Sequence, residues 1–220
     1  MPFRYPLIAF FLGLFAITPV ARAADPRNRP APGLVRVELV TSLGPIVVAL
    51  DMRRAPKTSA NFLLYVDDGR FDGTSFYRAA RSRKAPRYGY IQGGIRTNLQ
   101  RALPPVAHES TEQTGIRHLD ATISMARGGV PGTAMGNFFI TVGATPFMDA
   151  KGDYPGYAAF GHVVEGMDVV KRVLAQPTSG GTGAMKGQII ERPVTILRVK
   201  RLDSRPQPSG RAKAWLIWEK

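Results

Sequence analysis

The sequence of 220 residues predicts a mainly β fold, either a closed barrel or a sandwich. Short apolar runs bounded by glycine recur along the chain, and only two segments have the pattern of a helix. The 23 glycines and 18 prolines are scattered without a triplet period, as in a turn-rich β protein. With 44% hydrophobic and 21% charged residues, the composition fits one globular domain and excludes a disordered or fibrous protein.

The first predicted elements are a hairpin and a helix. Apolar and polar residues alternate over residues 35–39, a turn follows at residues 42–45, and residues 46–50 return as the second strand. Residues 56–68 are predicted as a helix, because Pro56 suits its first position and Gly69 suits its C-terminal cap.

The remaining elements are short strands, a second helix and a last strand. The second helix covers residues 167–175, which are rich in valine and precede Pro177. Residues 194–202 alternate in part and form the last strand. The short strands between the two helices are predicted at residues 75–78, 90–92, 121–126, 138–142 and 159–164.

Both ends of the chain lie outside this domain, which is predicted to cover residues 34–202. Arg4, the apolar run 7–17 and the Ala21-Arg22-Ala23 pattern predict a signal peptide over residues 1–23, cleaved after Ala23, and export to the periplasm. An uncleaved anchor is the alternative, but the run is shorter than the ~20 apolar residues of a spanning helix. Residues 24–33 are predicted to be a flexible lead-in. Residues 203–220 form a tail whose Trp215–Trp218 tip is expected to dock on its own domain rather than on a partner or a membrane.

Composition restricts the possible chemistry. The chain has no cysteine, which excludes disulfides, thiolate catalysis, cysteine-ligated zinc and iron–sulfur clusters. His108, His118 and His162 do not have metal-ligand spacing, so we expect no metal and no cofactor. The net charge of +14 favours acidic partners, including the surface of an anionic membrane. We expect no nucleic-acid binding, because an exported protein meets little nucleic acid.

Three pairs of motifs occur in a fixed order. They are FDGTSFYR at 71–78 with IQGG at 91–94, SMAR at 124–127 with NFFIT at 137–141, and FMD at 147–149 with YAAFGHVVEGMDVV at 157–170. The ordered set resembles the cyclophilins, which are peptidyl-prolyl cis-trans isomerases, in an exported bacterial form. The resemblance implies a closed eight-stranded antiparallel β-barrel capped by two α-helices, with the active site on its outer face. It implies proline-containing unfolded or extended polypeptides as substrates, and we expect a monomer.

The resemblance also assigns roles to individual residues. Arg78 matches the catalytic arginine, and Gln92 the glutamine that holds the arginine and the substrate carbonyl. An arginine suits this role because it stays charged and offers several donors to the lone pair that the proline nitrogen regains when the amide is twisted. For substrate binding, Phe139 matches the floor of the proline pocket, and its apolar walls match Tyr90, Phe147 and Met148. Ala126 and Asn137 match positions that grip the peptide backbone. Tyr157 takes a position that is often held by histidine.

The chain also departs from the family pattern at Phe147 and in segment 79–89. Phe147 replaces a tryptophan, so weak cyclosporin binding is expected. Segment 79–89 is long and basic, and Gly89 stands where the family has a phenylalanine, with Tyr88 as a possible substitute. Segment 79–89 carries four positive charges, which have the right sign to attract acidic clients or anionic lipid. They are Arg81, Arg83, Lys84 and Arg87. The alternative function is a cyclophilin-fold holdase that binds peptides and has weak or no isomerase activity.

Overall fold

The computed structural model describes residues 31–217. The predicted signal peptide, its cleavage site, most of the lead-in and Trp218 lie outside the described residues. Within them the chain forms nine strands and three α-helices. In chain order these are β1 (Leu34–Thr41), β2 (Gly44–Asp51), α1 (Pro56–Asp67), β3 (Thr74–Arg81), β4 (Gly89–Gly94), α2 (Thr111–Thr114), β5 (Thr122–Met125), β6 (Asn137–Val142), β7 (Ala158–Glu165), α3 (Met167–Leu174), β8 (Thr178–Ser179) and β9 (Ile189–Arg201).

Eight of the strands form a closed antiparallel barrel. Their order is β1-β2-β7-β5-β6-β4-β3-β9, and β1 pairs with β9 to complete the ring. The two-residue β8 pairs only with the start of β9. The eight-stranded barrel is therefore confirmed, and closure leaves no unpaired edge among its strands.

The structure adds one helix to the two that were predicted. Helix α2 is a single turn, capped by Ser110 and Gln113 and ended by the left-handed Gly115. One turn is too short to show a helical period in the sequence, which explains why it was not predicted. The two longer helices bury apolar faces on the barrel, α1 on β2, β7 and β9, and α3 on β2, β3, β4 and β6.

The described part of the tail packs on its own domain. Trp215 is only 2% exposed, and two buried guanidinium groups lie over its ring, Arg70 at 4.7 Å and Arg101 at 5.2 Å from the ring centre. Ser209 donates a hydrogen bond to the buried carboxylate of Asp68. The docking predicted for this segment is confirmed up to Trp215. No helix in residues 31–217 is long and apolar enough to cross a membrane.

Candidate active site

Four neighbouring strands place the candidate residues in one row. Arg78 on β3 pairs with Gln92 on β4, Gln92 with Phe139 on β6, and Phe139 with Ser124 on β5. Directly paired residues point to the same face of a sheet, so these four side chains share one face. Phe138 points to the opposite face, where it belongs to the buried core of the barrel. The row therefore lies outside the core.

The guanidinium of Arg78 is fixed on three sides. Its Nε donates to Gln188 Oε1 at 2.9 Å, its Nη1 to Gln92 Oε1 at 2.9 Å and its Nη2 to the Ala184 carbonyl at 3.1 Å. The guanidinium carbon lies 5.1 Å from the centre of the Tyr90 ring. All three acceptors are neutral, and no carboxylate in residues 31–217 forms an ion pair with Arg78. An arginine has five N–H groups. Three of those of Arg78 bond to these acceptors, and the Tyr90 hydroxyl is a further hydrogen-bond partner of the guanidinium.

A chain of hydrogen bonds orients Gln92. Its Nε2 donates to the Tyr77 hydroxyl at 2.8 Å, which leaves Oε1 for Arg78. The Tyr77 hydroxyl donates to Asn137 Oδ1 at 3.2 Å, and burial raises the pKa of Tyr77, so this phenol stays protonated. Asn137 is occupied internally, because Oδ1 also accepts from the Arg96 backbone N–H at 2.7 Å and Nδ2 donates to the Arg96 carbonyl at 2.9 Å. Asn137, which was predicted to grip the substrate backbone, also holds this network through its side chain.

Aromatic rings build the floor of the site. Phe139 is only 2% exposed. Its ring lies 5.5 Å from Tyr90 and 5.5 Å from Tyr157, the latter edge-on, and nearly parallel to His118 at 5.7 Å. Aromatic rings at such distances contribute stabilisation in addition to that from the apolar surface they bury. The position of Phe139 is thus determined by three rings from three other segments.

The imidazole of His118 packs against Phe139 and is itself fixed by two hydrogen bonds. Burial lowers the pKa of His118 and outweighs the opposing effect of Asp149, so the imidazole is neutral near pH 7. Its Nδ1 lies 2.7 Å from Asp149 Oδ1 and its Nε2 lies 2.9 Å from Ser124 Oγ. A carboxylate only accepts, so Nδ1–H donates to Asp149 and Ser124 donates to Nε2. A serine, a histidine and an aspartate in this order also occur in hydrolases. Ser124 is 0% exposed, however, and cannot reach a substrate carbonyl.

The remaining predicted residues lie around the floor. Met148 is buried and Phe147 is 70% exposed, although both belong to the single 3-10 turn Pro146–Met148. The Tyr157 backbone N–H donates to the Met148 carbonyl at 3.0 Å, which ties the wall together. The Ala126 N–H donates to the Asn137 carbonyl at 2.9 Å and extends the pairing of β5 with β6. Phe147 therefore stands at the rim of the site rather than deep in its wall.

A cavity of about 640 Å³ opens beside Arg78. Tyr88, Tyr90 and Phe147 contribute its aromatic lining. Gly143 makes room for Tyr88, because a Cβ at this position would lie 2.7 Å from the tyrosine ring. Tyr88 thus supplies an aromatic side chain next to the position where the family's phenylalanine is absent.

Segment 79–89 is less loop-like than its sequence predicted. Strand β3 continues to Arg81, which pairs with Gly89, so the loop covers only residues 82–88. The guanidinium of Arg81 is half-buried and bound to neutral acceptors, whereas the other three cations of the segment are exposed. The acceptors of Arg81 are the Leu174 carbonyl, the Gln176 carbonyl and Thr178 Oγ1.

Sequence reasoning missed several residues of the site. Gln188 and Ala184 lie 110 and 106 residues from Arg78 along the chain, in a glycine-rich segment without a recognisable motif. Sequence reasoning assigned His118 no role in the site, whereas its ring bonds to two side chains there. Only the closed β-barrel brings these groups to Arg78 and Phe139.

Comparison with known proteins agrees with this geometry. Residues 36–201 match the family described as "Cyclophilin type peptidyl-prolyl cis-trans isomerase/CLD". The chain is 34% identical over 164 residues to a peptidyl-prolyl cis-trans isomerase of Acinetobacter baylyi, covering 74% of this chain and 84% of the relative. It is 38% identical over 152 residues to another of Streptomyces antibioticus, covering 67% and 87%.

A solved structure shares the fold. A cyclophilin type peptidyl-prolyl cis-trans isomerase of Cryptosporidium parvum matches with a TM-score of 0.62 at 20% identity, covering 78% of this chain and 99% of that one. A second crystal structure of that protein was obtained in the presence of the dipeptide Ala-Pro and matches with a TM-score of 0.60. The family match and the relatives show that the chain is an isomerase of Xaa–Pro peptide bonds. It belongs to the cyclophilin-type peptidyl-prolyl cis-trans isomerase family.

Proposed function

We propose that Arg78 carries out this isomerisation by donating a hydrogen bond to the proline nitrogen of a peptide whose proline ring lies over Phe139. Gln92 holds the arginine and contacts the peptide. One observation carries the proposal: the guanidinium is held in one orientation by three neutral acceptors, and no carboxylate in residues 31–217 neutralises its charge.

The chemistry needs no nucleophile. Amide resonance sets a barrier of ~20 kcal/mol to rotation about the Xaa–Pro bond. When the bond is twisted, resonance is lost and the proline nitrogen regains a lone pair that can accept a hydrogen bond. A donor that is already oriented stabilises the twisted amide more than either planar form, and so lowers the barrier. No carboxylate in residues 31–217 pairs with Arg78, so its charge stays available.

The walls support binding of the substrate. Tyr157 has no partner for its hydroxyl among the described residues, and it can donate to a substrate carbonyl beside Phe139. The holdase alternative assumed a site weakened by segment 79–89. Tyr88 of that segment instead lines the cavity beside Arg78, so no specific observation favours the holdase.

Substitution of Arg78 tests the proposal. Arg78→Ala should lower kcat/KM in a peptide isomerisation assay by about a hundredfold to a thousandfold, the range seen when one oriented donor is removed. Arg78→Lys should lose most of the activity too, because an ammonium cannot bond to three separated acceptors as a planar fork does. Arg87→Lys, on an exposed loop, is the matched control. An unchanged rate in both Arg78 variants would remove this residue from the mechanism.

We further propose that the protein works in the periplasm and assists the folding of exported proteins. The support is the sequence of residues 1–23, with Arg4, an apolar run and the Ala21-Arg22-Ala23 pattern. Mass spectrometry of the native protein should find Ala24 as the first residue. An intact Met1 in purified membranes would contradict export with cleavage.

We also propose that the protein is a monomer with a weak affinity for anionic membranes. The support is the exposed, basic loop with Arg83, Lys84 and Arg87. Sedimentation should give a single species near the mass of one chain. Pelleting with anionic vesicles should exceed pelleting with neutral vesicles and should fall as the salt concentration rises. Equal pelleting with both vesicles would contradict the membrane proposal.

A further inference from the structure

Arg96 adopts a backbone conformation that side chains other than glycine rarely take. It lies two residues beyond β4 and has a φ of +53°, in the left-handed region. Both groups of the Asn137 carboxamide hold this conformation, through Oδ1 to the Arg96 N–H and through Nδ2 to the Arg96 carbonyl. Unusual backbone conformations concentrate at functional sites, where the surrounding structure enforces them. The hydrogen-bond network of the active site thus also holds an arginine in place.

The guanidinium of Arg96 lies over the ring of Tyr77, the residue that is hydrogen-bonded to Gln92. Its carbon is 5.6 Å from the centre of the Tyr77 ring, and the Tyr77 hydroxyl is the group that accepts from Gln92. Arg96 is exposed, and no carboxylate in residues 31–217 forms an ion pair with it. A cation without a counter-charge is available to an incoming anion.

A second cavity, of about 600 Å³, lies at this place. Arg96, Gln92 and Asn137 line one side, and the segment around Thr182 lines the other. Glu191 is the single acidic side chain in this lining, and it forms no ion pair with Arg96 or with any other described residue. The cavity therefore joins the row of catalytic residues at Gln92 and contains a cation and an acid that do not pair.

We propose that this cavity is a substrate subsite for the carboxylate of an Asp or Glu that flanks the proline, with Arg96 as its binding partner. A guanidinium binds a carboxylate through two parallel hydrogen bonds, which gives both geometry and charge selectivity. Gln92 lines this cavity and also bonds to Arg78, so the subsite adjoins the place of the proline. We therefore place the acidic residue within about three residues of the proline. The inference rests on the proposed function, because the peptide occupies this cavity only while its proline lies at Arg78 and Phe139.

Paired peptides test the subsite. Two series of proline peptides differ only in Glu or Gln, placed one to three residues before or after the proline, and kcat/KM is measured for each at low and high salt. The Glu peptide should be preferred about two- to fivefold at one position, as expected for an exposed ion pair. High salt should reduce the preference.

Three variants locate the preference. Arg96→Asn should abolish it, since asparagine tolerates the left-handed backbone but has no charge. Glu191→Gln should increase it, because an opposing negative charge is removed. Arg87→Asn is the matched control, since Arg87 also lies over a tyrosine ring, 4.8 Å from Tyr88, on the other side of the site. It should leave the preference unchanged.

The Gln peptides report on folding and on catalysis in every variant. Equal rates with Glu and Gln peptides in the wild type would overturn the subsite and leave the proposed function intact. So would a preference that persists in Arg96→Asn, or one that disappears in Arg87→Asn, which would place recognition on loop 82–88. Absence of turnover with all peptides would refute the proposed function and the subsite with it.

Discussion

Gln188 is predicted to be a positioning residue for Arg78. Its Oε1 accepts from Arg78 Nε at 2.9 Å, and the Gln188 carbonyl accepts from the Ala79 N–H at 2.9 Å, so the side chain is anchored next to the catalytic strand. Gln188→Ala removes one of the three acceptors and keeps Gln92 Oε1 and the Ala184 carbonyl. The guanidinium then gains freedom to turn away from the substrate.

The size of the effect follows from the bond that is lost. A hydrogen bond to a charged group contributes about 1.5–3 kcal/mol. The lower end applies here, because Gln188 is partly exposed and water can replace it. A loss of about 1.4 kcal/mol of transition-state stabilisation lowers the rate about tenfold. We therefore expect kcat/KM of Gln188→Ala to fall about tenfold.

A double-mutant cycle separates positioning from a general structural effect. Gln188→Ala and Gln176→Ala, a glutamine remote from Arg78, are compared in the wild type and in Arg78→Ala. If Gln188 acts through Arg78, its substitution should have no further effect once the arginine is gone, because the two losses are not additive. The same tenfold loss in both backgrounds, or no loss in the wild type, would refute the reasoning.

Three further predictions concern the tail, the floor of the site and drug binding. Trp215→Ala should lower the free energy of unfolding by about 3–5 kcal/mol in denaturant titrations, since it leaves the buried Arg70 and Arg101 without their shared ring; a loss below 1 kcal/mol would show that the tail is dispensable. Because burial lowers the pKa of His118, the unfolded chain binds a proton below pH 6.5 while the folded chain does not. The melting temperature should thus be insensitive to this group above pH 6.5 and should fall as the pH drops towards the folded pKa, more steeply than in His118→Gln; equal slopes would refute this. Phe147→Trp should bind cyclosporin more tightly than the wild type in calorimetry, since an indole adds an N–H donor and a larger face. Equal affinity would place Phe147 outside the drug site.

The sequence by itself determined the fold class and the type of catalytic group. The pattern of apolar residues predicted eight strands, because the period of two along a strand depends only on which side chains are buried, and the resemblance of the ordered motifs to the cyclophilins predicted that the strands close into a barrel. The same period places Phe138 and Phe139 on opposite faces of β6. The ordered motifs predicted Arg78 and Gln92, and the structure places these two residues 2.9 Å apart.

Only the tertiary structure decided which groups hold those residues. Gln188, His118 and Arg96 belong to no motif, and each acts through partners that are distant in sequence or through a backbone angle that its own residue type does not favour. It also decided that Arg81 is engaged while the rest of the loop is exposed. The physical reason is that a hydrogen bond or an ion pair forms only when the distance between its two atoms is right to within a few tenths of an ångström. Burial patterns predict which face a residue occupies, but the closure of the barrel sets which side chains meet there.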